Sequence, residues 1–113
     1  MLLITAIIKP GAFEEVKDAL RAAGVKGMTV SEVSGMGRQG GHVEVYRGAE
    51  YPIDLISKVR LEILAEDKEA KGIINVIVKT ASTNSIGDGK VWTTPVHDVV
   101  RVRTGESGEA AIS

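Results

Sequence analysis

Lys58-Val-Arg-Leu-Glu-Ile-Leu-Ala65 alternates without a break. Val59, Leu61, Ile63 and Ala65 fall on one side of an extended chain, and Lys58, Arg60, Glu62 and Leu64 on the other. This stretch predicts a β-strand with one face in the core. Leu64 keeps the second face from being purely polar, so that face also needs cover.

Outward from it the chain is nearly symmetrical. On the C-terminal side, Asp67 is placed to cap a helix whose apolar stripe is Ile73, Ile74, Ile77 and Ala81. Gly72 inside that helix is expected to cost about 1 kcal/mol relative to alanine. Ser82 to Lys90 is polar and reads as a loop. Val91 to Val96 reads as a strand weakened by Pro95, and Val99 to Arg103 as a short alternating one. The tail 104–113 is small and polar and is expected to be mobile.

On the N-terminal side, Leu2 to Ile8 is an apolar run stopped by Lys9-Pro10, the pattern of a strand. From Phe13 to Ala23 the period becomes helical, with Phe13, Val16, Leu20 and Ala23 on one face. Glu14 and Glu15 in the first turn, Arg21 in the last and Gly24 beyond it match the helix dipole and a glycine cap. Met28 to Val33 is a second strand. The order strand, helix, strand, long loop, strand, helix, strand is that of an α+β, ferredoxin-like βαββαβ sandwich, one domain over residues 1–113. Two helices cover one face of such a sheet, and self-association through the other is the simplest way to bury it.

The long loop carries glycines at 35, 37, 40 and 41, then Tyr46, Tyr51 and Pro52 among charged and small residues. Connections of this length in compact domains usually have work to do. Composition narrows what that work is. With 43% hydrophobic and 26% charged residues the chain is of globular type. The absence of cysteine excludes disulfides and thiolate metal sites and agrees with a cytoplasmic location. A net charge of −1 gives no general attraction to nucleic acid, so any anion site is local. No apolar run is long enough to span a membrane.

Gly87-Asp88-Gly89-Lys90 has two readings. Asp-Gly favours a hairpin turn. Alternatively, the glycines turn backbone N–H groups toward a phosphate and Lys90 adds charge. Arg101 and Arg103 favour the second. Two apart on a strand, they would share a face about 7 Å apart, and an oligophosphate suits two guanidinium forks with a lysine. Arg38 and Lys58 are placed to join them. His42 and His97 have no carboxylate or second histidine at ligand spacing, so no metal or nucleophile site is argued from them.

The segments Gly27-Met-Thr-Val-Ser-Glu32, Tyr46-Arg-Gly-Ala-Glu-Tyr51, Ile86-Gly-Asp-Gly-Lys-Val-Trp92 and Arg101-Val-Arg-Thr-Gly-Glu106 together resemble the nitrogen regulatory protein PII family. The resemblance runs over nearly the whole chain. It implies a homotrimer that senses ATP, ADP and 2-oxoglutarate, with nucleotide in the cleft between subunits. By this resemblance Gly87, Asp88, Gly89 and Lys90 wrap the phosphates and Arg101 and Arg103 close on them. Gly37, Arg38 and Gln39 join, while Thr29, Glu62 and Leu64 place the nucleoside. Gln39 would coordinate the Mg²⁺ bridging ATP and 2-oxoglutarate, with Gln39, Gly41 and Lys58 holding the 2-oxoglutarate.

The exposed loop 37–55, between the second and third strands of the four-stranded plan, corresponds to the family's T-loop. Tyr51 aligns with the tyrosine that is uridylylated or adenylylated in many members, and Arg47 with the residue that enters an ammonium channel. The partners implied are an ammonium transporter, nucleotidyl- and adenylyltransferases and a kinase, with membrane recruitment only through the transporter. Gly40 stands where members often carry lysine, and Asn84 where glycine is common.

The reading is therefore a non-enzymatic signal transducer. Two alternatives are a small ATP-dependent phosphotransferase using His42 or His97, and an RNA-binding module. The histidines lack an orienting partner in sequence. The 4% aromatic content leaves almost nothing for base stacking.

Overall fold

The structure is a computed structural model. It describes residues 1–36, 43–46, 49–52 and 55–112, the two short middle segments as backbone alone. Six strands and two α-helices follow in the order β1 (Leu2–Ile8), α1 (Phe13–Ala22), β2 (Thr29–Gly35), β3 (Val43–Tyr46), β4 (Ala49–Pro52), β5 (Ile56–Ala65), α2 (Asp67–Ala81) and β6 (Gly89–Pro95). Four strands form an antiparallel sheet in the order β2-β5-β1-β6, the interleaved arrangement of a ferredoxin-like fold.

The alternation that decided the fold holds along β5. Val59, Leu61, Ile63 and Ala65 are buried with Ile4, Ala6 and Ile8 of β1 against Val16 and Leu20 of α1 and Ala70, Ile77 and Ala81 of α2. Ile73 and Ile74 are partly buried at the edge of the same cluster. Pro95 pairs with Leu2 on β6, an edge strand, where its missing N–H faces away from the sheet.

α1 ends as its residues require. Gly24 takes φ +98°, its N–H donates to Arg21 O at 3.1 Å, and Val25 N–H donates to Leu20 O at 3.0 Å. Those two bonds are a Schellman closure, which satisfies carbonyls that the helix end would otherwise leave unpaired. At the start of α2 the expectation shifts by one residue. Glu66, with extended backbone and no side-chain capping bond, is the N-cap, and Asp67 is the first helical residue. Its carboxylate pairs with the terminal ammonium of Met1 at 2.9 Å instead of capping.

Gly72 lies inside α2 with nothing within 4 Å of where a Cβ would stand. Gly72→Ala is expected to stabilise the fold by about 1 kcal/mol, read as a rise in the denaturant midpoint with unchanged slope. An unchanged or lower midpoint would contradict it.

One segment gains structure and one expectation needs correction. The connection 35–54 contains β3 and β4, paired antiparallel with Glu44 opposite Tyr51 and Val45 opposite Glu50. Alternating Val43, Glu44, Val45 and Tyr46 suit a strand, and Pro52 biases Tyr51 to extended backbone. By contrast, no strand forms at Val99–Arg103. Val100 makes an isolated bridge to Ser107, and Gly105 at φ +73° donates to Arg101 O at 2.8 Å. The turn made by Thr104-Gly105 outweighs the local alternation. The tail folds back through this turn into a 3-10 segment, Gly108–Ala111.

Candidate functional site

The sheet has one face under the helices and one without a helical layer. On the open face the strand register lines up Thr29, Glu62, Thr5 and Trp92 in one row across all four strands. Leu64, Leu3 and Thr94 form the next row, and Arg60, Ile7 and Lys90 with Ser31 the row on the other side. Trp92 is 45% exposed and Leu64 38%, which leaves large apolar side chains uncovered on this face.

The sequence-derived residues are spread along the open face from one end of the sheet to beyond its middle. At the end where β1 finishes stand Lys58, Gly87, Asp88, Gly89 and Lys90, because Gly89 is opposite Ile8 and Lys90 opposite Ile7. Thr29 and Glu62 lie in the central row opposite Thr5, next to the row of Lys90, and Leu64, opposite Leu3, lies toward the end where β1 begins. The 101–112 segment is tied to that second end. Val96 N–H donates to Met1 O at 3.1 Å, so the chain leaves β6 beside the start of β1, and within the segment Arg101 donates to Ala110 O at 2.8 Å. Ile112 then lines a cleft of about 600 Å³ with Gly24, Lys26, Gly27, Leu64 and Lys68. Between the two ends run the six residue steps of β6, about 20 Å.

The loop before β6 is shaped by its own side chains. Asp88-Gly89 does not close a hairpin between strands; it ends the α2–β6 connection. Gly87 takes φ +96° and Gly89 φ +113°, and a Cβ on Gly89 would stand 1.8 Å from Ile7 O. Only glycine fits a backbone laid this closely on another. Asn84, at φ +60°, is the one non-glycine with positive φ among the described residues, a conformation asparagine tolerates better than most. Among the described residues the N–H groups of Ile86 and Gly87 have no hydrogen-bond acceptor. Lys90 has no ion-pair partner among them either.

Asp88 does not point outward. Its carboxylate accepts from Thr83 N–H at 2.7 Å, Thr83 Oγ1 at 2.6 Å and Ser85 N–H at 3.2 Å, and pairs with Lys9 Nζ at 3.2 Å. The Thr83 hydroxyl first, then its N–H, hold that carboxyl well below the usual carboxylate range. Lys58, 8% exposed, donates from Nζ to Gly87 O at 2.7 Å. Thr83, Ser85 and Lys9 carried no sequence signal of their own, because five positions separate Thr83 from Asp88 and Lys9 belongs to another element.

Arg101 is engaged, not free: it pairs with Glu106 besides Ala110 O. Arg103 stands exposed in the 102–104 turn and does not share a strand face with it. Gly37, Arg38, Gln39, Gly41 and Arg47 lie outside the described residues, as does the side chain of Tyr51, whose backbone is in β4. His97 is exposed; His42 is outside the described residues. No described helix is long and apolar enough to cross a membrane.

Comparison with known proteins agrees with this fold. The family model described as nitrogen regulatory protein P-II matches residues 1–106. A nitrogen regulatory protein P-II of Azospirillum brasilense is 53% identical over 99% of this chain and 100% of its own length. A nitrogen regulatory protein P-II 2 of Methanothermobacter thermautotrophicus is 53% identical over 96% of this chain and 95% of its own. The nitrogen regulatory protein GlnK of Escherichia coli is 46% identical over 99% of this chain and 100% of its own. With a family model over nearly the full length and relatives of this identity end to end, the chain belongs to the nitrogen regulatory protein P-II family.

Proposed function

We propose that the chain is a nitrogen-regulatory signal transducer that binds ATP or ADP between copies of itself and passes the result to partners through the 37–55 loop. The observation that carries this reading is the division of the candidate site. A glycine cradle with Lys90 stands at one end of an uncovered sheet face. Thr29 and Glu62 lie at its middle, and Leu64 and the fold-back that carries Arg101 stand toward the other end. A second copy docked on that face supplies the missing half, and a closed trimer repeats the contact at each interface. The names of the relatives, which describe regulatory proteins, support regulation over catalysis.

The residues present suit a nucleotide. Unpaired N–H groups at Ile86 and Gly87 and the cation of Lys90 point to phosphate oxygens. Arg103 is exposed, and Arg101 is held by partners that a phosphate would replace. Lys58, buried with a single carbonyl partner, suits a carboxylate of 2-oxoglutarate. Gln39 and Gly41 complete that subsite in this proposal, Gln39 through Mg²⁺, which supplies charge neutralisation between triphosphate and 2-oxoglutarate when bound. Tyr51 is the site of nucleotidylation, and Arg47 the contact to an ammonium transporter at the inner face of the membrane. Regulatory enzymes of nitrogen assimilation are the other partners.

Calorimetry tests the core of this. Titration with MgATP is expected to give saturable binding, and 2-oxoglutarate to bind at least tenfold more tightly to the MgATP-loaded protein. Equal 2-oxoglutarate affinity with and without MgATP would remove the coupling. Absence of MgATP binding would remove the sensor reading itself.

A further inference from the structure

Three consecutive residues where the loop enters β6, Gly87, Asp88 and Gly89, are pinned, each differently. Gly87 O receives Lys58 Nζ at 2.7 Å. The Asp88 carboxylate receives Thr83 twice, Ser85 N–H and Lys9. Gly89 is laid directly on the Ile7 carbonyl. An aspartate in a phosphate-binding loop is at first sight in the wrong place, because its charge repels the ligand. Here the carboxylate is turned into the loop. Three hydrogen bonds from residues 83 and 85 saturate it, and the Lys9 ammonium at the end of β1 offsets its charge.

We infer that Thr83 and Lys9 are positioning residues for the phosphate loop, acting through an Asp88 carboxylate that shapes the loop and touches neither phosphate nor metal. The inference rests on the nucleotide reading above for its ligand, but the pinning itself is a property of the free protein. Thr83 fixes the carboxylate through both its backbone and its hydroxyl, so the 83–88 segment closes on itself. The Ile86 and Gly87 N–H groups, which the lock does not use, are left for the ligand. The lowered titration of Asp88 keeps the lock charged well into the acid range. Ile7 lies at the end of β1 and Lys9 directly follows it, so the loop is held against the central sheet and not only against itself.

The test uses the full chain with Thr83→Val, Thr83→Ser, Asp88→Asn and Lys9→Gln. Amide hydrogen exchange over 83–89 without nucleotide is expected to quicken about tenfold or more in Thr83→Val and Asp88→Asn, with Thr83→Ser close to wild type. Titration with ATP is expected to show about tenfold weaker binding for the same two variants, by the same factor with Mg²⁺ and without it. Adenosine binding is unchanged in both, because adenosine carries no phosphate. Lys9→Gln, at a half-buried partner, is expected to lose about threefold in ATP affinity.

Unaltered exchange in Thr83→Val would overturn the lock, even if wild-type protein bound no ATP, an outcome that would count separately against the nucleotide reading. An ATP loss in Asp88→Asn that disappears when Mg²⁺ is left out would make Asp88 a metal ligand and overturn the inference. Full ATP affinity in Lys9→Gln would remove Lys9 from it. Failure of Thr83→Ser to restore exchange would mean that the residue acts by packing alone, which also overturns it.

Discussion

Gly89→Ala is expected to cost the fold about 2–4 kcal/mol and to abolish nucleotide binding. Two penalties coincide at this residue. Its φ of +113° is a conformation that side chains avoid, and a Cβ would stand 1.8 Å from Ile7 O and 3.2 Å from Ile8 Cα. Neither neighbour is a side chain that can swing away, since both are backbone atoms of the central strand. The β1–β6 ladder begins where Gly89 is opposite Ile8, so relief requires opening the first pair of the ladder or shifting β1. Either movement carries Gly87 and Lys90 with it.

Gly105→Ala is the control. Gly105 also has positive φ, +73°, but nothing lies within 4 Å of its missing Cβ. It is expected to lose about 1 kcal/mol, the cost of the backbone angle alone. Chemical denaturation of both variants separates the collision from the angle. Equal midpoints for Gly89→Ala and Gly105→Ala would show that the close approach to Ile7 is not a constraint in solution.

The contrast between those glycines marks how far the sequence could be read. β5, α1 and the stripe of α2 were legible because each is set by a local period that burial then rewards: Val59, Leu61, Ile63 and Ala65 at period two, Val16 and Leu20 a helical turn apart. Gly24 was legible as a cap for the same reason, since its job is decided within five residues. The 99–105 segment misled because alternation and turn chemistry compete there, and Gly105 with the fold-back onto Glu106 wins. Gly-Asp-Gly-Lys announced an anion loop or a turn, but the direction of the Asp88 carboxylate depends on Thr83 and on Lys9 from another element. The place of Arg101 was out of reach: it depends on the fold-back after β6, where Val100 bridges Ser107 and Gly105 N–H closes on Arg101 O, and no spacing in the chain encodes that.

A site divided between copies can be restored by complementation. Lys90→Ala removes the cation of the cradle, and Arg101→Ala removes a guanidinium from the segment tied to the opposite end of the sheet. Each variant alone is expected to bind ATP about a hundredfold more weakly than wild type, because charge-assisted contacts to phosphate contribute about 1.5–3 kcal/mol each. If the cradle of one copy works with the arginines of its neighbour, the two defects reside in different halves of each interface. Co-expressed and purified as mixed assemblies, Lys90→Ala chains offer intact arginines and Arg101→Ala chains intact cradles. Wherever they meet in the right order, a complete site is restored, so mixed assemblies regain a class of sites with wild-type affinity that neither variant has alone. A site confined to one chain predicts the opposite, since every chain in the mixture would then carry a damaged site. Arg101→Ala also frees Glu106 and Ala110 O from their shared partner, so its own melting point reports whether the fold-back survives. An intact melt with no recovery in the mixture would place the whole nucleotide site within a single chain and remove the reason for reading the open sheet face as the site of assembly.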